Sequence, residues 1–178
     1  MSRVLRFLGA LLVCCVAPCA TLQQLSLDQM SQAATSIVRA RVTGSAASFT
    51  GSTIYTHYSL QVTESWKGFT PKEVLVPGGI AGGKRQAFPG VPELKVGTEY
   101  VLFLWTSSAT GITHIVGLQQ GLFDLHAQTD GSMLAVRPLI GEVILDSKGR
   151  RVPDHAVSMP VSNLRTQVSH ALLAGAAQ

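Results

Sequence analysis

Two stretches of this chain alternate apolar and polar residues with a period of two, which commits each to a strand whose side chains point to opposite faces. In the first, Val38, Ala40 and Val42 share one face, opposite Ile37, Arg39, Arg41 and Thr43. In the second, Ile54, Tyr58, Leu60, Val62 and Trp66 oppose Tyr55, His57, Ser59, Gln61, Thr63 and Ser65. The second run is long, and a long strand bends around a barrel or sandwich. A loop rich in Gly, Ser and Ala, residues 44–53, is expected between the two.

The remaining segments fit a mainly β chain. Ahead of the first strand, residues 27, 30, 33 and 34 are apolar at helical spacing, and Ser26 with Gln29 three residues on forms a capping box. After the second strand, Lys67-Gly68-Phe69-Thr70-Pro71 reads as a turn and Glu73 to Val76 as a short strand. Pro77 to Pro92, dense in glycine and proline, is expected to hold no regular structure. The block Tyr100 to Trp105 has no polar face, so both of its sides must be covered, one by a barrel interior and one by a helix. Further strands are expected at Thr113 to Val116, Gly121 to Leu125 and Met133 to Val136. Glu142 to Leu145 and Arg151-Val152 form a hairpin around Asp146-Ser147-Lys148-Gly149. Apolar positions 161, 164, 168, 172 and 173 predict a closing amphipathic helix.

Residues 1–20 read as an export signal, with Arg3 and Arg6 before an apolar run, Phe7 to Val16, and small residues Ala17, Cys19 and Ala20 near two neighbouring cleavage points. All three cysteines (Cys14, Cys15 and Cys19) fall in this segment, so the mature chain is expected to have no disulfide and no thiolate metal site. Val16-Ala17-Pro18-Cys19 has the layout of a lipoprotein box, with Pro18 where Gly, Ala or Ser belongs. Loss of the leader removes two arginines, leaving 12 basic and 10 acidic residues, a net of +2. That field is too weak to argue for nucleic acid or an anionic membrane as partner. With 46% hydrophobic and 13% charged residues, the chain lies far from the composition of disordered proteins.

The sharpest motif is Gly78-Gly79-Ile80-Ala81-Gly82-Gly83-Lys84, which has the spacing of a phosphate-binding loop after a strand. Arg85 stands where the magnesium-holding hydroxyl belongs, and Phe88-Pro89-Gly90-Val91-Pro92 cannot form the helix that would cradle phosphate. The alternatives are a flexible or tightly turned surface loop, and a loop whose backbone amides and two cations, Lys84 and Arg85, contact an anionic or protein partner. The five histidines share no metal-ligand spacing. His57, on the polar face of the long strand, is the one placed to contact a ligand. No Gly-x-Ser-x-Gly elbow occurs, and the carboxylates form no close pair. No cofactor is expected. The aromatic residues coincide with inward positions or turns, which core packing explains.

Ser36 to Val42, then Ile54-Tyr55 leading through the long strand to Trp66-Lys67-Gly68, followed by Val74 to Val76, the glycine-rich loop and Gly97 to Leu104, resemble the amino-terminal domain of the tissue inhibitors of metalloproteinases. They are more similar still to small exported bacterial proteins that share that netrin-like barrel. The resemblance covers residues 26–125 and implies an OB-type, five-stranded Greek-key barrel with a flanking helix. Inhibition in that family depends on a mature amino-terminal cysteine pinned by disulfides. Here only Cys19 can occupy such a position, and no cysteine follows it, so that mechanism does not carry over.

The expected organisation is a signal peptide at 1–20, an OB-like barrel at 21–125, and an extension at 126–178, hairpin plus helix, packed on the barrel. The expected function is that of a secreted or periplasmic, non-enzymatic binding module. It would contact another protein or an extracellular ligand through Gly78, Gly79, Gly82, Gly83, Lys84, Arg85 and His57, with no nucleic acid partner and no membrane contact after signal cleavage. The rivals are a protease inhibitor and a hydrolase whose site is assembled in space.

Overall fold

The computed structural model describes residues 21–176; the expected leader and its three cysteines lie outside the described residues. The described chain is mainly β. Its elements are β1 (Thr21–Gln23), α1 (Leu27–Ala33), β2 (Ser36–Thr50), β3 (Thr53–Lys67), β4 (Glu73–Pro77), β5 (Gly79–Ala81), β6 (Lys84–Gln86), β7 (Glu99–Thr106) and β8 (Thr113–Ile115). A 3-10 turn at Leu118–Gly121 leads to β9 (Leu122–Ala127), β10 (Met133–Arg137), β11 (Val143–Leu145), β12 (Arg151–Val152), β13 (Val157–Pro160) and α2 (Val161–Ala176).

The main sheet runs β13, β10, β9, β7, β2, β3, β4, antiparallel throughout, with β8 paired to β7. Among the described residues no ladder returns from β4 to another strand, so the sheet is open. At that gap the His114 Nδ1–H of β8 donates to the Leu75 carbonyl of β4 at 3.2 Å. A side chain bridges the two edges where a backbone ladder does not.

The apolar block Tyr100 to Trp105 of β7 separates two cores, as its lack of a polar face requires. Val101 and Phe103 point into one, with Met30 of α1, Phe123 and Leu125 of β9, and Val161, Leu164 and Val168 of α2. Tyr100, Leu102 and Leu104 point into the other, with Val38, Ala40 and Val42 of β2, Tyr58, Val74, Val76 and Ile115. The capping box of α1 is present: Ser26 Oγ accepts from the Gln29 amide at 3.1 Å, and Gln29 Oε1 accepts from the Ser26 amide at 2.8 Å. At the other end of α1, Lys67 Nζ donates to the carbonyls of Ser31 and Gln32, two acceptors that the helix itself leaves unpaired.

On the face of β2 away from the second core, Arg39 donates to Glu99 at 3.1 and 3.0 Å and to Glu64 at 2.9 Å. Thr63 and Trp66 add bonds to these two carboxylates, and Arg165 of α2 reaches Glu64 at 3.2 Å. Three strands are thereby tied through one guanidinium, and the Glu64 carboxylate adds the helix.

Several expectations change. Residues 44–53 are not a loop: β2 continues to Thr50 and turns at Gly51-Ser52 straight into β3. The ladder to β3 slips between Ile37 and Val38, Arg39 and Ala40, and Val42 and Gly44, and past the slips Trp66, expected on one face with Leu60 and Val62, packs against the other core. Ile37, placed on the polar face by its period, is fully buried because the helices cover the start of that face. Leu173, expected on the inner face of α2, is 70% exposed, and Ala171 is buried instead. Pro77 to Pro92 does hold regular structure, the β5–β6 hairpin. Two short strands carried no pattern: β1, which pairs in parallel with β11, and β13, which pairs with β10.

Candidate functional site

The β5–β6 hairpin is closed by Gly82 and Gly83 with φ of +54° and +72°, the left-handed pair that a two-residue hairpin turn requires. Its base is clamped to the end of the main sheet. The Gly78 amide donates to the Ile54 carbonyl at 2.7 Å, and Thr56 Oγ1 donates to the Gly78 carbonyl at 2.8 Å. Gln86 closes the other side, accepting from the Ile54 amide at 2.6 Å and donating to Ser52 at 2.9 Å. A segment of pure turn composition is thus held by side chains of its neighbours.

Between this hairpin and the chain that returns from it lies a cleft of about 330 Å³. Thr56 and Tyr58 of β3 and Val76 of β4 form its floor; Gly78, Gly79, Ile80, Arg85 and Gln86 form one wall; Phe88, Val91, Pro92 and Glu93 form the other. Ile80 and Phe88 are exposed at 66% and 43%, and Phe49, 44% exposed, lies behind the turn. Burial pushes the Tyr58 hydroxyl above its ordinary value, and a backbone hydrogen bond at Leu94 opposes that rise. Neither Lys84 nor Arg85 has an acidic partner among the described residues.

The expected site residues divide. Gly78, Gly79 and Arg85 line the cleft; Gly82, Gly83 and Lys84 form the turn above it. Lys84 and Arg85 are adjacent in a strand and so project to opposite faces of the hairpin. His57 is not brought to the cleft, because Thr56 and Tyr58 on either side of it face inward and His57 faces out. There it bonds Ser48 Oγ through Nε2 at 3.0 Å and Glu73 Oε2 through Nδ1 at 3.4 Å. The order of serine, histidine and carboxylate is that of a hydrolytic relay. Ser48 is exposed, however, and the Glu73 side chain is 55% exposed. Water competes for each of these bonds, and the row serves as a tether across β2, β3 and β4.

Thr56, Tyr58, Gln86, Phe88 and Glu93 were not singled out by sequence. The alternation of β3 places Thr56 and Tyr58 on one face, but nothing local brings residues 86–93 over them. Two smaller clefts share Pro92 with the first. One, about 260 Å³, lies at the gap between β4 and β8, where the Tyr55 and His114 rings stand 6.2 Å apart. The other, about 240 Å³, is lined by Glu93, Asp124, Arg137 and Leu139. Among the described residues, no group of three or more His, Cys, Asp or Glu side chains is placed to hold a metal ion, and no helix is long and apolar enough to cross a membrane.

No family model matches the chain, and a search of curated proteins returns no match.

Proposed function

We propose that this chain is an exported, non-enzymatic binding module, secreted or periplasmic, that engages a protein or other extracellular ligand through the β5–β6 hairpin and the cleft beneath it. The observation that carries this reading is the cleft of about 330 Å³ under a hairpin whose two cations have no acidic partner. Exposed apolar side chains beside unpaired charge mark contact surfaces. The scaffold is read as an OB-like, five-stranded Greek-key barrel at 21–125 with residues 126–178 packed on it. In support, β4, β3, β2, β7 and β8 follow one another along one ladder path around the second core, and His114 bridges the last strand to the first.

Replacement of both Lys84 and Arg85 by alanine leaves the fold intact and weakens capture of the partner in a pull-down from native culture. An unchanged profile with a correctly folded double variant rejects the hairpin as the contact site. The barrel path also favours a second reading, protease inhibition. Titration of the purified mature protein against a panel of zinc metalloproteases tests it, and full protease activity at micromolar protein removes it.

A further inference from the structure

We infer that the cleft takes one bulky apolar side chain of an acidic, extended polypeptide segment, with Arg85 as the anchor for its carboxylates; this rests on the binding-module reading above. Three observations carry it. A volume of about 330 Å³ is at the lower end of ligand pockets, enough for one large side chain and its own backbone but not for a large cofactor. Its mouth is flanked by two exposed apolar groups, Ile80 and Phe88, which would close over such a side chain.

The second observation is charge. Arg85 lines the cleft without a salt bridge, and a guanidinium presents a fork of donors that matches a carboxylate. Lys84 stands at the turn, on the other face of the hairpin, and adds attraction at longer range.

The third is the main chain. In a hairpin with a two-residue turn the flanking pair, Ala81 and Lys84, is hydrogen-bonded, so the next pair, Ile80 and Arg85, is not. The N–H and C=O of Arg85 therefore face away from β5, and β6 ladders with no other strand among the described residues. An extended segment laid along β6 gains a main-chain rung at the residue whose side chain holds its carboxylates. A lipid surface fits less well, because the cleft is concave and lies beneath the hairpin, where a flat bilayer does not enter.

The test is fluorescence polarisation with a labelled, end-blocked peptide of sequence Glu-Asp-Phe-Asp-Glu, with a Lys-Lys-Phe-Lys-Lys peptide and phosphatidylglycerol vesicles as comparisons. The proposal expects saturable binding of the acidic peptide alone, weakened by salt. Arg85→Ala and Phe88→Ala each weaken it about tenfold, and Lys84→Ala only about twofold, with circular dichroism unchanged. Equal binding of both peptides, no effect of Arg85→Ala, or binding of vesicles without the peptide overturns it. If the acidic peptide does not bind, the culture pull-down separates the two failures. Capture still lost in the Lys84, Arg85 double variant means that the ligand class alone is wrong, whereas unchanged capture removes the binding-module reading as well.

Discussion

Gly79 packs so closely against Thr56 that a Cβ built on the glycine would stand 2.5 Å from the Thr56 hydroxyl oxygen. The backbone there has φ of +129°, a region that side chains rarely adopt. Gly79→Ala must therefore shift the hairpin base or strain it, at a cost of about 1–3 kcal/mol. At Gly83, with φ of +72° and open space around it, alanine meets only the conformational penalty, about 1 kcal/mol. Urea unfolding of both variants measures the difference, and equal losses would contradict the close approach.

Acid should weaken the fold through Arg39 and its two carboxylates. A hydrogen bond from Trp66 and the Arg39 guanidinium hold the Glu64 carboxyl below its ordinary 4.5, against the effect of burial. Burial pushes Glu99 up, but hydrogen bonds from Arg39 and Thr63 outweigh it and leave that carboxyl below 4.5 as well. Depressed carboxyls contribute their stability above the unfolded value and lose it as pH falls through the folded one. Stability is therefore flat near neutrality and declines as pH falls through and below the ordinary carboxylate value of 4.5. Glu99→Gln costs about 1–2 kcal/mol at neutral pH and flattens that decline. Thermal unfolding across this range reads both effects.

The open side of the sheet is a soft place. With His114 replaced by alanine, the Leu75 carbonyl loses its partner across the gap, and amide exchange in β4 and β8 quickens. Exchange in β2, paired on both sides near its start, stays as it was. Uniform acceleration across all strands would mean that His114 supports the whole fold and not the gap.

A tether and a hydrolytic relay built from Ser48, His57 and Glu73 behave differently. Ser48→Ala and His57→Ala leave partner capture unchanged and cost well under about 1 kcal/mol each, as exposed polar pairs do. A fluorophosphonate probe leaves Ser48 unlabelled. Labelling that disappears in His57→Ala would show an activated nucleophile instead.

What sequence revealed of this fold follows from which forces are local. The capping box at Ser26 and Gln29, the alternation of β3 from Ile54 to Val62 and the apolar run Tyr100 to Trp105 of β7 each depend on near neighbours, and each is found where the pattern puts it; Trp66 is not, because the bulges lie between it and Val62. The extension of β2 through Gly44 to Thr50 is not local, because those residues are strand only by virtue of the ladder to β3. Nor is the burial of Ile37, which depends on helices docked against the sheet. At the site, the glycine motif with Lys84 and Arg85 was legible as chemistry. The cleft was not, since its second wall, Phe88 to Glu93, meets Thr56 and Tyr58 only through the tertiary path of the chain.

The central claim is that the β5–β6 hairpin is the contact surface. The most direct measurement places a photo-crosslinking amino acid at Ile80, 66% exposed on the hairpin, and separately at Leu173, 70% exposed on α2, in cells that produce the protein. The account predicts a discrete protein adduct from position 80, abolished when Arg85 is replaced by alanine, and none from position 173. Adducts from position 173 alone, or equal adducts from both, would contradict it.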